Sequence, residues 1–186
     1  MKIKLFFSAI GFICLSQFSV QAQEIKPAKG YSPQIGSVVS MLEDLKRRVS
    51  NSVARKSTKE IDFLLDDEAN RVGALILHLA ATEKYYQLYT FENRIFNSSD
   101  DPMWDMAQSL GDKARAELVK KPIDYYLNIW DEVREETLRL LKTKDDKWFK
   151  SKVGKSNMNN HWAWYHVMEH QANHMGQIRM ILKRAK

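Results

Sequence analysis

Between Ile35 and Val53 an apolar residue returns every third or fourth position: Ile35, Val38, Val39, Leu42, Leu45, Val49 and Val53. Glu43, Lys46, Arg47 and Arg48 take the other side. Such a stripe makes one face of an α-helix and does not suit a strand, whose faces alternate every second residue. Ser32 and Pro33 stand where a helix begins, one as a cap and the other in the first turn. Three further stretches read as helices: about Glu68 to Phe91; about Ile123 to Lys142, with Tyr126, Ile129, Val133, Thr137 and Leu140 in phase; and about Asn160 to Lys183. No run alternates like a strand and nothing repeats. The pattern predicts an all-α fold, a four-helix bundle.

The joints are equally legible. Residues 57–67 form a connection, and Asn97-Ser98-Ser99-Asp100-Asp101-Pro102 is a strong break. A short segment, Met103 to Leu110, and a charged stretch then lead to Pro122. Residues 143–159 form a polar connection in which Trp148 and Phe149 are expected to pack as a lid or brace.

Ahead of the first helix, Met1-Lys2-Ile3-Lys4 is cationic and Leu5 to Val20 is apolar and uncharged. Val20-Gln21-Ala22 then places small residues where signal peptidase cuts. An uncleaved anchor would need a longer span and no cleavage site. The expectation is a signal peptide at 1–22, a tether at 23–30 and the bundle at 31–184. The product would be exported, periplasmic or secreted, after cleavage near Ala22. Cys14, the one cysteine, would leave with the signal. Disulfides, thiolate nucleophiles and sulfur metal ligands would then be excluded.

The remaining 164 residues suffice for one domain with one core, and 11% aromatics argue against disorder. The formal charge of +6 falls to +4 without Lys2 and Lys4. That charge is spread over outer faces with no basic stripe, which speaks against nucleic acid. No basic amphipathic helix remains to hold a membrane surface after cleavage.

The histidines carry the chemistry. Four of five (His161, His166, His170, His174) fall on the last helix, and His78 lies midway along the second. At about 100° per residue, His166, His170, His174 and Gln177 share one arc with Ile178 and Ile181, opposite Arg179 and Lys183. The i, i+4 pair His170–His174 can reach one ion. His78 shares its arc with Ala74, Ala81, Thr82, Tyr85 and Tyr89, whereas Glu83 and Gln87 lie opposite. On spacing alone, metal ligation and hydrogen bonding in a core both remain open. Tyr85, Tyr89, Trp162, Trp164 and Tyr165 are expected to wall a pocket.

Asn70-x-x-Gly73-x-Leu75-x-x-His78-Leu79-Ala80-x-x-Glu83, with His170-x-x-x-His174-x-Gly176-Gln177-Ile178, resembles the DinB-like (YfiT-like) superfamily across residues 31–184. The resemblance implies a four-helix bundle that binds a divalent metal through one histidine of the second helix and two of the last. The matching positions here are His78, His170 and His174. Zinc, nickel, iron and manganese all suit such nitrogen ligands. His166 inherits no ligand role and is a pocket candidate; His161 is solvated or capping. Glu83 matches a common family acid but faces away from His78, so it is expected to pair between helices. Gln177 is placed to orient an imidazole.

Characterised relatives include thiol S-transferases and isomerases that use low-molecular-weight thiols such as bacillithiol or mycothiol. The implied function is therefore an exported metal-binding protein acting as a thiol S-transferase on a small-molecule substrate. Those thiols are cytosolic, whereas this chain is expected to be exported. A metal-dependent hydrolase and a non-catalytic metal- or ligand-binding bundle therefore stay open. No catalytic residue beyond the ligands is singled out. Relatives often dimerise, so a homodimer is among the expected partners.

Overall fold

A computed structural model describes residues 24–96 and 102–185. The expected signal peptide and most of the Asn97–Pro102 break lie outside the described residues. Within them are eight helices and no strand: α1 (Pro33–Val53), α2 (Thr58–Ile61), α3 (Val72–Phe91), α4 (Pro102–Ser109), α5 (Gly111–Glu117), α6 (Ile123–Lys142), α7 (Asp146–Lys150) and α8 (Asn160–Arg184). The four long ones form the bundle.

Local chemistry sets the helix ends. Ser32 is the N-cap of α1, but its hydroxyl does not cap the helix. It donates instead to the Asp146 carboxylate, which accepts the amides of Gln34 at 3.1 Å and Ile35 at 3.4 Å. The cap of the first helix thus comes from α7. The second long helix begins at Val72 rather than near Glu68. Asp66 holds the intervening turn by accepting the Glu68 amide on its side chain and the Ala69 amide on its carbonyl, and Arg71 is extended. The 57–67 connection contains α2, closed by a capping box between Ser57 and Glu60. Leu110 (φ 56°) separates α4 from α5, which opens on Gly111 (φ 74°). In the polar connection before α8, α7 buries Phe149 completely and braces α1 and α8.

Two apolar clusters fill the bundle. One joins the first half of α1 to Tyr86, Leu141, Phe149 and the first half of α8. The other joins the second half of α1 to the first halves of α3 and α6 and the last turns of α8, with Met106, Ala107 and Ala114. Hence α1 and α8 run one way, α3 and α6 the other. α3 packs against α6 and α8, and α1 packs chiefly against α8. Since α3 and α6 are parallel, the chain between them must recross the bundle, about 30 Å for a 20-residue helix. That crossover carries α4 onto α3. Covered by α4, α6 and α8, α3 is buried on nearly every face, which is why its sequence is apolar all round. Gly73 admits the Tyr126 ring against its backbone, where any Cβ would collide.

A charged layer separates the clusters. Glu83 is fully buried and accepts from Arg134 Nε at 2.7 Å and Nη2 at 2.9 Å, from Trp130 Nε1 at 3.0 Å and from Gln171 Nε2 at 3.1 Å. Arg134 also donates to the Leu42 carbonyl and the Glu43 carboxylate, each at 2.9 Å. The network therefore touches all four long helices. As expected, Glu83 pairs between helices rather than facing His78. Burial opposes its ionisation, but the Arg134 guanidinium holds its carboxyl below the usual range. The phase expected for α6 is rotated slightly: Trp130, Arg134 and Leu141 face inward beside Tyr126, Val133 and Thr137, while Ile129 and Leu140 are half-buried.

Candidate metal centre

α3 and α8 pack antiparallel and bring His78 to His170 and His174. His170 Nε2 lies 3.1 Å from His78 Nε2 and 3.1 Å from His174 Nε2. All three candidate ligand atoms fall within 4.8 Å of one another. Two nitrogens bound to one tetrahedral ion at about 2.0–2.1 Å lie about 3.4 Å apart, close to these spacings.

Hydrogen bonds at the far side of two rings fix what the near side offers. His78 Nδ1 is 2.9 Å from the Ala107 carbonyl of α4, an oxygen that can only accept. His78 therefore carries its proton on Nδ1 and turns the Nε2 lone pair inward. His174 Nδ1 is 2.9 Å from Gln177 Oε1, which assigns the same tautomer. His170 Nε2 thus faces two lone pairs and, as a neutral ring, has at most one hydrogen to give. Its Nδ1 is buried without a protein partner. A cation among the three nitrogens satisfies all of them, and no neutral arrangement does. On this count the donor set fits a divalent ion, with neutral imidazole ligands oriented from behind.

The electrostatics agree. Burial, then His174, His78 and His166, drives His170 down to about 3. Burial also lowers His78 against the Ala107 hydrogen bond, and lowers His174 against Gln177. At neutral pH the lone pairs are not occupied by protons.

His166 stands one turn before His170, its ring centroid 5.8 Å away. Its Nδ1 pairs with Glu169 at 3.1 Å, and its ring stacks on Trp162 and meets Tyr86 edge-on. It borders the centre without joining the ligand group. His161 is exposed and stacks on Phe149; Asn159 caps α8 by accepting the Trp162 amide.

The expected aromatic wall divides. Tyr85 and Tyr89 stack on each other on α3, and Trp162 belongs to the His166 strip. Trp164, by contrast, is fully buried in the other core cluster, and Tyr165 is exposed. At about 100° per residue these two fall outside the His166–His174 arc. Phe96, which packs on Tyr85, supplies a ring that the helix pattern did not suggest.

Two features escaped the sequence. The Ala107 carbonyl has no side-chain signature. The Arg134–Trp130 partners of Glu83 did leave one: both share an arc with Val133 and Thr137 on α6.

The model of one family, mycothiol S-transferase, matches residues 37–184. No curated protein matches the chain.

Proposed function

The chain belongs to the mycothiol S-transferase family, within the DinB/YfiT-like superfamily, and from that premise we propose that it is a metal-dependent thiol S-transferase acting on small molecules. The convergence of three imidazole Nε2 atoms, two with their tautomers fixed, supports this reading most directly. When bound by His78, His170 and His174, a divalent ion supplies Lewis-acid stabilisation of a thiolate at neutral pH. The protein's own part is orientation. The Ala107 carbonyl and Gln177 aim two imidazoles, and burial keeps all three neutral. Tyr86, His166 and Trp162 flank the centre toward the α8 N-terminus.

In the transfer, a sulfur lone pair of the thiolate forms the new C–S bond to an electrophilic carbon. The displaced group leaves with its bonding pair. Hydrolysis is the weaker reading, because the acids near these helices are engaged: Glu83 with Arg134, and Glu169 with His166.

The assay is conjugation of 2-mercaptoethanol or cysteine to 1-chloro-2,4-dinitrobenzene by metal-loaded protein. The expected result is turnover that drops at least about 100-fold in His78→Ala, the loss of one ligand. Equal rates in His78→Ala and the parent would overturn the reading. We further propose export, on the strength of the cationic, apolar and small-residue order of positions 1–22. A mature N-terminus at Gln23 would support it, and an intact Met1 in the cytosol would contradict it.

A further inference from the structure

Thr82 is 3% exposed, and its hydroxyl oxygen is buried without a protein partner. The usual resort of a helical threonine is the carbonyl four residues back. The two other threonines inside long helices take it: Thr90 Oγ1 donates to the Tyr86 carbonyl at 2.6 Å, and Thr137 Oγ1 to the Val133 carbonyl at 3.2 Å. Thr82 does not. A buried hydroxyl left unpaired is destabilising unless something outside the chain uses it.

Its place says what that could be. Thr82 is one turn beyond His78, about 40° around α3. On one side of it His78 meets His170, with ring centroids 4.8 Å apart. On the other side Tyr86 meets His166, at 5.8 Å. Because α3 and α8 are antiparallel, Thr82 lies level with the turn between His166 and His170. It therefore stands between the three-histidine centre and the aromatic strip that ends in Trp162, which is 46% exposed. Of the α3 residues on this arc, Thr82 is the one a turn from His78 on the side of Tyr86 and His166.

We propose that Thr82 is a substrate-binding residue whose hydroxyl donates a hydrogen bond to the sulfur or oxygen of the small molecule seated beside His78, His170 and His174. This rests on the metal-centre reading above. It predicts effects of opposite sign on stability and binding, which a structural hydroxyl would not give.

The test uses purified full-length protein loaded with Co(II), titrated with 2-mercaptoethanol and followed by the near-ultraviolet thiolate-to-cobalt band. Parent, Thr82→Val and Thr82→Ser should take up the same cobalt. Thr82→Val should bind the thiol about tenfold more weakly, as expected for one hydrogen bond to a charged acceptor. Thr82→Ser should restore parental affinity. Without metal, Thr82→Val should melt about 2–4 °C above the parent, because an unpaired polar atom has been removed. Equal thiol affinity in Thr82→Val and parent would overturn the assignment. So would a lower melting temperature in Thr82→Val, which would mean that the hydroxyl has a partner in the fold. Failure of the parent to take up cobalt, or cobalt uptake with no thiol band, would overturn the transferase reading and this inference with it. The variants, compared with a parent that binds both, decide on Thr82 alone.

Discussion

His78 and His174 each commit one ring nitrogen to an oxygen, and that commitment makes their other nitrogens acceptors. Gln177→Leu removes one of these partners without touching a ligand. We expect about 10–100-fold weaker metal binding with the fold retained, measured by competition with a chromophoric chelator; unchanged affinity would deny Gln177 its orienting role. The lowered imidazoles also make a pH prediction. An unfolded chain takes up protons below about 6.5, whereas folded His170 resists until about 3. The unfolded state therefore binds more protons in that window, and metal-free protein loses stability as pH falls from about 6.5 toward about 3. Thermal melts at pH 7 and pH 5 should show a larger loss for the parent than for His170→Ala. Equal losses would contradict the assignment. The i, i+4 spacing of His170 and His174 was readable from sequence. The inward face of His78 was too, but its meeting with α8 came only through the family resemblance. The Ala107 carbonyl was beyond reach, since every residue carries such an oxygen.

At the level of elements, periodicity located α1 and α6 because each presents a sustained apolar face, whereas α3, apolar all round, was legible as a long run rich in Ala, Leu and Tyr. Periodicity failed where a helix is too short to show a period, as in four-residue α2 and five-residue α7. It also ran past the start of α3, where hydrogen bonds to Asp66 close a turn that an apolar pattern does not register. Side-chain chemistry at a distance is harder still. Nothing near Pro33 says that Asp146 will cap α1. Asp146→Ala should lower stability by about 1 kcal/mol, in the range of a lost cap, in urea denaturation; no change would mean that water serves the α1 amides as well. Gly73 makes a sharper point about the α3–α6 contact. Gly73→Val forces the Tyr126 ring aside and should lower stability by about 1–3 kcal/mol by overpacking. Wild-type stability in that variant would show that the contact can relax.

Across the whole molecule, the Glu83–Arg134 layer lies between the two apolar clusters and ties the four long helices together. Gln171 ties this layer to α8 directly beside His170. Removing one partner leaves a buried charge alone, so Glu83→Ala should lose about 3–5 kcal/mol. The double variant Glu83→Leu/Arg134→Met should recover much of it; no recovery would show that the layer stabilises by more than its pairing. The bundle as a class was legible because composition and period agree. The order in which its helices pack was not, because the parallel α3–α6 pair depends on a crossover with no strong pattern of its own.

His78, His170 and His174 together are placed to hold one divalent ion. Elemental mass spectrometry of the purified protein beside His170→Ala/His174→Ala tests it most directly. Near one equivalent of a divalent metal is expected in the parent and little in the double variant. No metal in the parent, with no uptake of added zinc, nickel, iron or manganese, would contradict it. Equal metal in both proteins would do the same.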